Sequence, residues 1–88
     1  MYELEIRDHV DKAFMKLAKR DSKQMEAITK KIREISEEPH AYKPLHFPLA
    51  GMRRVHIGNY VLVFSIDESR GTVVLEDYEH HDRVYRKR

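Results

Sequence analysis

The chain is 88 residues long and 41% hydrophobic, enough apolar material for one small core and too little for two. It has no cysteine, which excludes disulfides and thiolate metal sites and fits a reducing cytoplasm. Net charge is only +2, no charged-then-apolar leader opens the chain, and the longest apolar run, Tyr60 to Phe64, is far short of the roughly 20 residues a bilayer requires, so no membrane partner is expected.

Tyr2 to Arg7 alternates Tyr2, Leu4 and Ile6 with Glu3, Glu5 and Arg7, the pattern of a half-buried strand. Asp8 is placed to cap a helix in which Val10, Phe14 and Leu17 recur at i, i+4 and i+7, ending near Arg20. Asp21 or Ser22 then caps a second helix, with Met25, Ile28, Ile32 and Ile35 on one stripe and charged residues outside. Two such helices make a hairpin able to cover one face of a sheet.

Glu38 to Gly51 changes character. All three prolines fall here, which rules out regular helix, while Tyr42, Leu45, Phe47 and Leu49 offer anchors along the protein. Met52 to Asp67 reads as an antiparallel hairpin turned at Gly58-Asn59. Tyr60, Leu62, Phe64 and Ile66 share one face, and Arg54 and His56 share a face of the preceding strand. Glu68 to Gly71 makes the next turn, and a last strand runs toward a short tail. The predicted order is β-α-α-β-β-β in a single α+β domain, 1–88, with the helical hairpin packed on a small antiparallel sheet. The first strand joins that sheet, where a helical crossover permits parallel pairing with a later strand.

Six histidines are many for this length. His9 and His40 are expected at the surface. His46, His56, His80 and His81 fall in the same half as Arg53, Arg54, Lys43, Asp82 and Tyr85, and the tail from Arg83 through Arg86 to Arg88 carries four cations and no acid. That distribution suits a polyanion such as RNA, although a solvated basic C-terminus has the same composition. His80 and His81 are adjacent, so in extended backbone only one of them points with His56.

Two imidazoles in a basic groove suit phosphodiester chemistry on RNA. One takes the proton of an attacking 2′-OH and the other protonates the departing 5′ oxygen. Arginines stabilise the charge that grows on the phosphate oxygens, and an aromatic side chain offers a surface for an unstacked base. No metal or other cofactor is needed. A metal set of His46, His56, His81 and Asp82 is the alternative, but it lacks the HxH or HExxH spacing of familiar sites.

PLAGMRRVHIGNYVLVFSID (residues 48–67) and EHHDRVY (79–85) resemble the hairpin and closing segment of the RelE/ParE toxin superfamily. With the β-α-α start, the resemblance spans nearly the whole chain. It implies the toxin of a type II toxin–antitoxin pair, and with it a cognate antitoxin, the ribosome and mRNA as partners. Among the nucleases it is nearest the histidine-using YafQ branch. The matching positions imply acid/base roles for His56 and His81 and phosphate or substrate contacts for Arg53 and His46. Tyr85 would stack on a base, with Arg54, His80, Arg83, Arg86 and Lys43 adding RNA contacts. Val61 stands where RelE-like nucleases often carry arginine, and Asn59 where the YafQ branch is acidic. Two other expectations stand beside this one: a ParE-like inhibitor of DNA gyrase, against which His56 and His81 together argue, and a RelE-fold binding module without catalysis, which Val61 and Asn59 keep open.

Overall fold

The computed structural model describes residues 1–46 and 49–86, and the backbone alone for 84–86. The elements are β1 (Glu3–Ile6), α1 (Asp8–Arg20), α2 (Ser22–Glu37), a 3-10 turn at Pro39–Ala41, β2 (Met52–Ile57), β3 (Tyr60–Asp67), β4 (Thr72–His80) and α3 (His81–Arg86). The sheet order is β1-β4-β3-β2. β2, β3 and β4 form the expected antiparallel meander, but β1 lies parallel to β4, so the sheet is mixed. The α1–α2 hairpin supplies the crossover that parallel pairing needs.

Asp21 caps α2, its Oδ1 accepting the Gln24 amide at 3.1 Å. Asp8, expected as the cap of α1, is instead its first residue. Arg7 holds the cap position without a side-chain bond, and Asp8 acts through its charge at the positive end of the helix. Gly58 opens the two-residue turn between β2 and β3 with φ 64°, while no described non-glycine residue has positive φ. That is the glycine-first pattern whose twist matches a hairpin.

The helices cover one face of the sheet. Val10 and Phe14 from α1 and Ile28 and Ile35 from α2 pack with Val55, Ile57, Leu62, Phe64, Val73 and Leu75. Phe64, at the centre, is fully buried, and Tyr42 meets it edge-on at 5.8 Å. Gln24 ties α2 to the hairpin end by donating to the Ile57 carbonyl at 3.1 Å and to the Tyr78 hydroxyl at 3.0 Å. Leu4, on the edge strand β1, stays exposed despite its place in the alternation.

The proline-rich loop lies along the sheet as expected. Pro44 bridges to Arg53, and the Leu45 amide donates to the Met52 carbonyl at 2.9 Å. Leu45 and Leu49 pack on Val61 and Val63, on the face opposite the helices. Phe47, a further expected anchor, lies outside the described residues. Arg53 fastens the start of this loop, donating from Nη1 to the Tyr42 carbonyl at 2.6 Å.

Phe64→Ala should cost about 3–5 kcal/mol in urea unfolding, since it opens a cavity under both helices, whereas exposed Met15→Ala should stay within about 0.5 kcal/mol. Arg53→Ala should release the loop, seen as faster amide exchange over 42–46 with the strands unchanged. Burial, reinforced by the neighbouring Tyr60 and Asp21, raises the Tyr78 phenol above its ordinary 10.0 even though the Gln24 bond works the other way. The fold therefore favours neutral Tyr78. Its contribution is complete below about pH 10 and is lost as pH climbs through the raised value. An absorbance titration should show late tyrosine ionisation of which one component is missing from Tyr78→Phe.

Candidate active site

Strand alternation sorts the expected site residues onto two faces. Arg53, Val55 and Ile57 point toward the helices, as do their partners Phe64, Leu62 and Tyr60. Met52, Arg54 and His56 point the other way, opposite Ser65, Val63 and Val61. Arg54 and His56 therefore do share a face, the one the helices leave uncovered. Arg53 does not join them: its guanidinium is turned to the other side and holds the loop.

On the open face, Arg54 Nη1 lies 3.3 Å from His56 Nδ1. A guanidinium only donates, so Nδ1 is the acceptor here and the ring proton of a neutral His56 sits on Nε2. His56 is exposed and Arg54 half-buried. Across β3, Val61 pairs with both His56 and Glu79, so one rung of the sheet reads His56–Val61–Glu79. Neighbouring strands are about 4.8 Å apart, which puts the backbones of His56 and Glu79 about 10 Å apart.

Val61 is fully buried, closed in by the Leu45–Leu49 loop, so the middle of the rung is apolar. Glu79 was missed in the sequence, where it reads as one more charged strand residue. Its place opposite Val61 becomes visible only once the β3–β4 register is fixed. That register skips Glu76 at a bulge between Val63 and Phe64. Glu76 accepts from Ser65 Oγ at 2.6 Å and from Arg7 Nε at 3.0 Å.

The end of β4 differs from the extended tail expected from the sequence. The chain turns into α3 at His81, whose amide donates to the Asn59 carbonyl at 3.1 Å. The imidazoles of His80 and His81, expected on opposite sides, lie with centroids 4.9 Å apart. His80 also meets Tyr60 edge-on at 5.6 Å, and Tyr60 stacks on Tyr78 at 5.0 Å. His81 Nε2 is 3.0 Å from Asp82 Oδ1, and Arg83 reaches Glu79 at 3.9 Å.

His46 and Lys43 are exposed on the loop, with His46 at a turn that it closes by accepting the Leu49 amide at 2.9 Å. The side chains of Tyr85 and Arg86 lie outside the described residues. His9 and His40 are half or more exposed and engage the carboxylates of Asp77 and Glu68 respectively. The site thus gathers Arg54 and His56 on β2, Glu79 on β4, and His81 with Asp82 and Arg83 at the corner after β4.

Comparison with known proteins agrees with this architecture. The family model described as the ParE toxin of the type II toxin–antitoxin system parDE matches residues 2–85. A protein of Methanocaldococcus jannaschii proposed as toxin RelE4 is 49% identical over 89 residues, covering 100% of this chain and 95% of the relative. The toxin–antitoxin complex RelBE2 of Mycobacterium tuberculosis contains a chain 27% identical, with a TM-score of 0.76, covering 90% of this chain and 96% of that one. The YoeB/ParE toxin of Agrobacterium tumefaciens, at 19% identity, shares the fold with a TM-score of 0.82 over 90% of this chain and 98% of its own. A mixed four-stranded sheet under one helical hairpin, matched along almost its full length by these toxins, places the chain in the RelE/ParE superfamily: it belongs to the ParE toxin family of type II toxin–antitoxin systems.

Proposed function

We propose that this toxin is a ribosome-dependent mRNA endonuclease that cuts by attack of a 2′-OH on the adjacent phosphorus. The observation that supports this reading best is the Arg54–His56 pair on the face of the sheet opposite the helices, with His81 at the corner beyond β4. His56 and His81 act as the acid/base pair, one accepting the 2′-OH proton and the other supplying a proton to the 5′ oxygen. Arg54 and Arg83 stabilise the non-bridging oxygens, while His46, His80 and Lys43 contact flanking RNA, with Tyr85 stacking on a base and Arg86 adding charge. The scheme needs no metal. The ribosome holds the message and supplies orientation, so few catalytic groups suffice.

The partner is an antitoxin, as in the RelBE2 complex from M. tuberculosis. A chain that wraps the toxin and neutralises its basic surface is expected to be disordered when free. The protein acts in the cytoplasm, where ribosomes are.

A second reading is a ParE-like inhibitor of DNA gyrase, and two observations favour it. The matching family model is the ParE one, and Val61 puts a buried apolar residue in the middle of the rung. The buried Val61 is equally suited to a non-catalytic binding module.

Wild-type protein on ribosomes programmed with a defined mRNA should give discrete A-site cuts. His56→Ala and His81→Ala should each cut at least about 100-fold more slowly, the scale of losing a general acid or base. Cutting that survives both substitutions sinks the histidine scheme. Intact mRNA together with inhibited gyrase supercoiling would support the second reading instead.

A further inference from the structure

At the corner where β4 ends and α3 begins, three consecutive side chains converge. His80, His81 and Asp82 each offer a ligand atom, and these atoms all lie within 4.8 Å of one another. Asp82 Oδ1 is 3.0 Å from His81 Nε2, and Asp82 Oδ2 is 3.9 Å from His80 Nδ1. Consecutive residues of a strand cannot converge in this way, because their side chains alternate. It is the change from strand to helix that lays the two rings side by side.

The carboxylate contacts these two imidazoles and no lysine or arginine among the described residues. The nearest described cation along the chain, Arg83, is directed to Glu79 instead.

We propose that His80, His81 and Asp82 form a binding site for one divalent transition ion of the zinc type. Two neutral imidazoles and one carboxylate suit Zn²⁺, Co²⁺, Ni²⁺ or Cu²⁺, whereas Mg²⁺ and Ca²⁺ prefer all-oxygen shells. With bonds of 2.0–2.1 Å, ligand atoms in a tetrahedron stand about 3.3 Å apart, so the observed set closes on an ion by small side-chain rotations. These side chains are partly exposed and free to make them. Three protein ligands leave a coordination position for water or a phosphate oxygen. The ion would occupy a lone pair of His81 and remove that imidazole from proton transfer. This consequence rests on the nuclease reading above, whereas the binding site does not.

The test is calorimetric titration of the protein with zinc chloride, with cobalt chloride and visible absorption as a second probe. Wild type should bind one ion per chain. Asp82→Asn and His80→Asn should each weaken binding at least tenfold, and His40→Asn should leave it unchanged. Circular dichroism confirms that each variant is folded. Undiminished affinity in Asp82→Asn, or equal weakening in His40→Asn, overturns the site. In the ribosome assay, saturating zinc should slow wild-type cutting at least tenfold, reversibly with chelator. Whatever cutting Asp82→Asn retains should be the same with and without zinc. Zinc bound at these residues with cutting unaffected overturns the inhibitory role. One-to-one binding by a chain that cuts no mRNA supports the site and overturns the nuclease reading alone.

Discussion

The whole molecule depends on a sheet that is covered on one side only. Eighty-eight residues supply one helical hairpin, and that hairpin buries the face carrying Leu62, Phe64, Val73 and Leu75. Nothing of comparable size remains for the other face. The chain covers the middle of it with a loop, setting Leu45 and Leu49 on Val61 and Val63 of β3, and leaves the flanking strands to Arg54 and His56 on one side and Glu79 on the other. Polar chemistry sits where apolar cover runs out. The same economy explains why β3, with neighbours on both edges and cover on both faces, buries the whole run from Val61 to Phe64.

Within this frame, neighbouring residues serve different ends. Arg53 and Arg54 are adjacent in sequence, yet one secures the loop through the Tyr42 carbonyl and the other meets His56. A strand separates them by pointing them to opposite faces. At the far end of β4 the reverse occurs: His80 and His81 are brought together because the strand stops there. Secondary structure therefore decides which charges and imidazoles cooperate, and nearness in sequence is a poor guide.

Much of the fold was legible in the residues. The stripes of Val10, Phe14 and Leu17 and of Ile28, Ile32 and Ile35 mark both helices, Gly58-Asn59 marks the hairpin, and period-2 alternation puts Arg54 with His56. The site was less legible, because it depends on pairing between strands. Glu79 acquires its position only from the β3–β4 register, and a bulge that skips Glu76 shifts that register by one residue. The helical corner at His81 was also hidden. A six-residue helix has too few turns to show a stripe, and its charged residues read equally well as a tail.

The parallel pairing of β1 with β4 carries a consequence for the making of the protein. Glu3 aligns with Thr72 and Ile6 with Leu75, so the first strand finds its place only against nearly the last one. Ion pairs reinforce this late seam, Arg7 to Glu76 and Glu5 to Arg70. During synthesis β1 and the helical hairpin emerge well before β4, the strand against which β1 must pair. The face bearing His56 is thus assembled only once β4 is available, and a product truncated before β4 lacks it. For a protein with the fold of a toxin, this order of assembly withholds the completed sheet until β4 has been made.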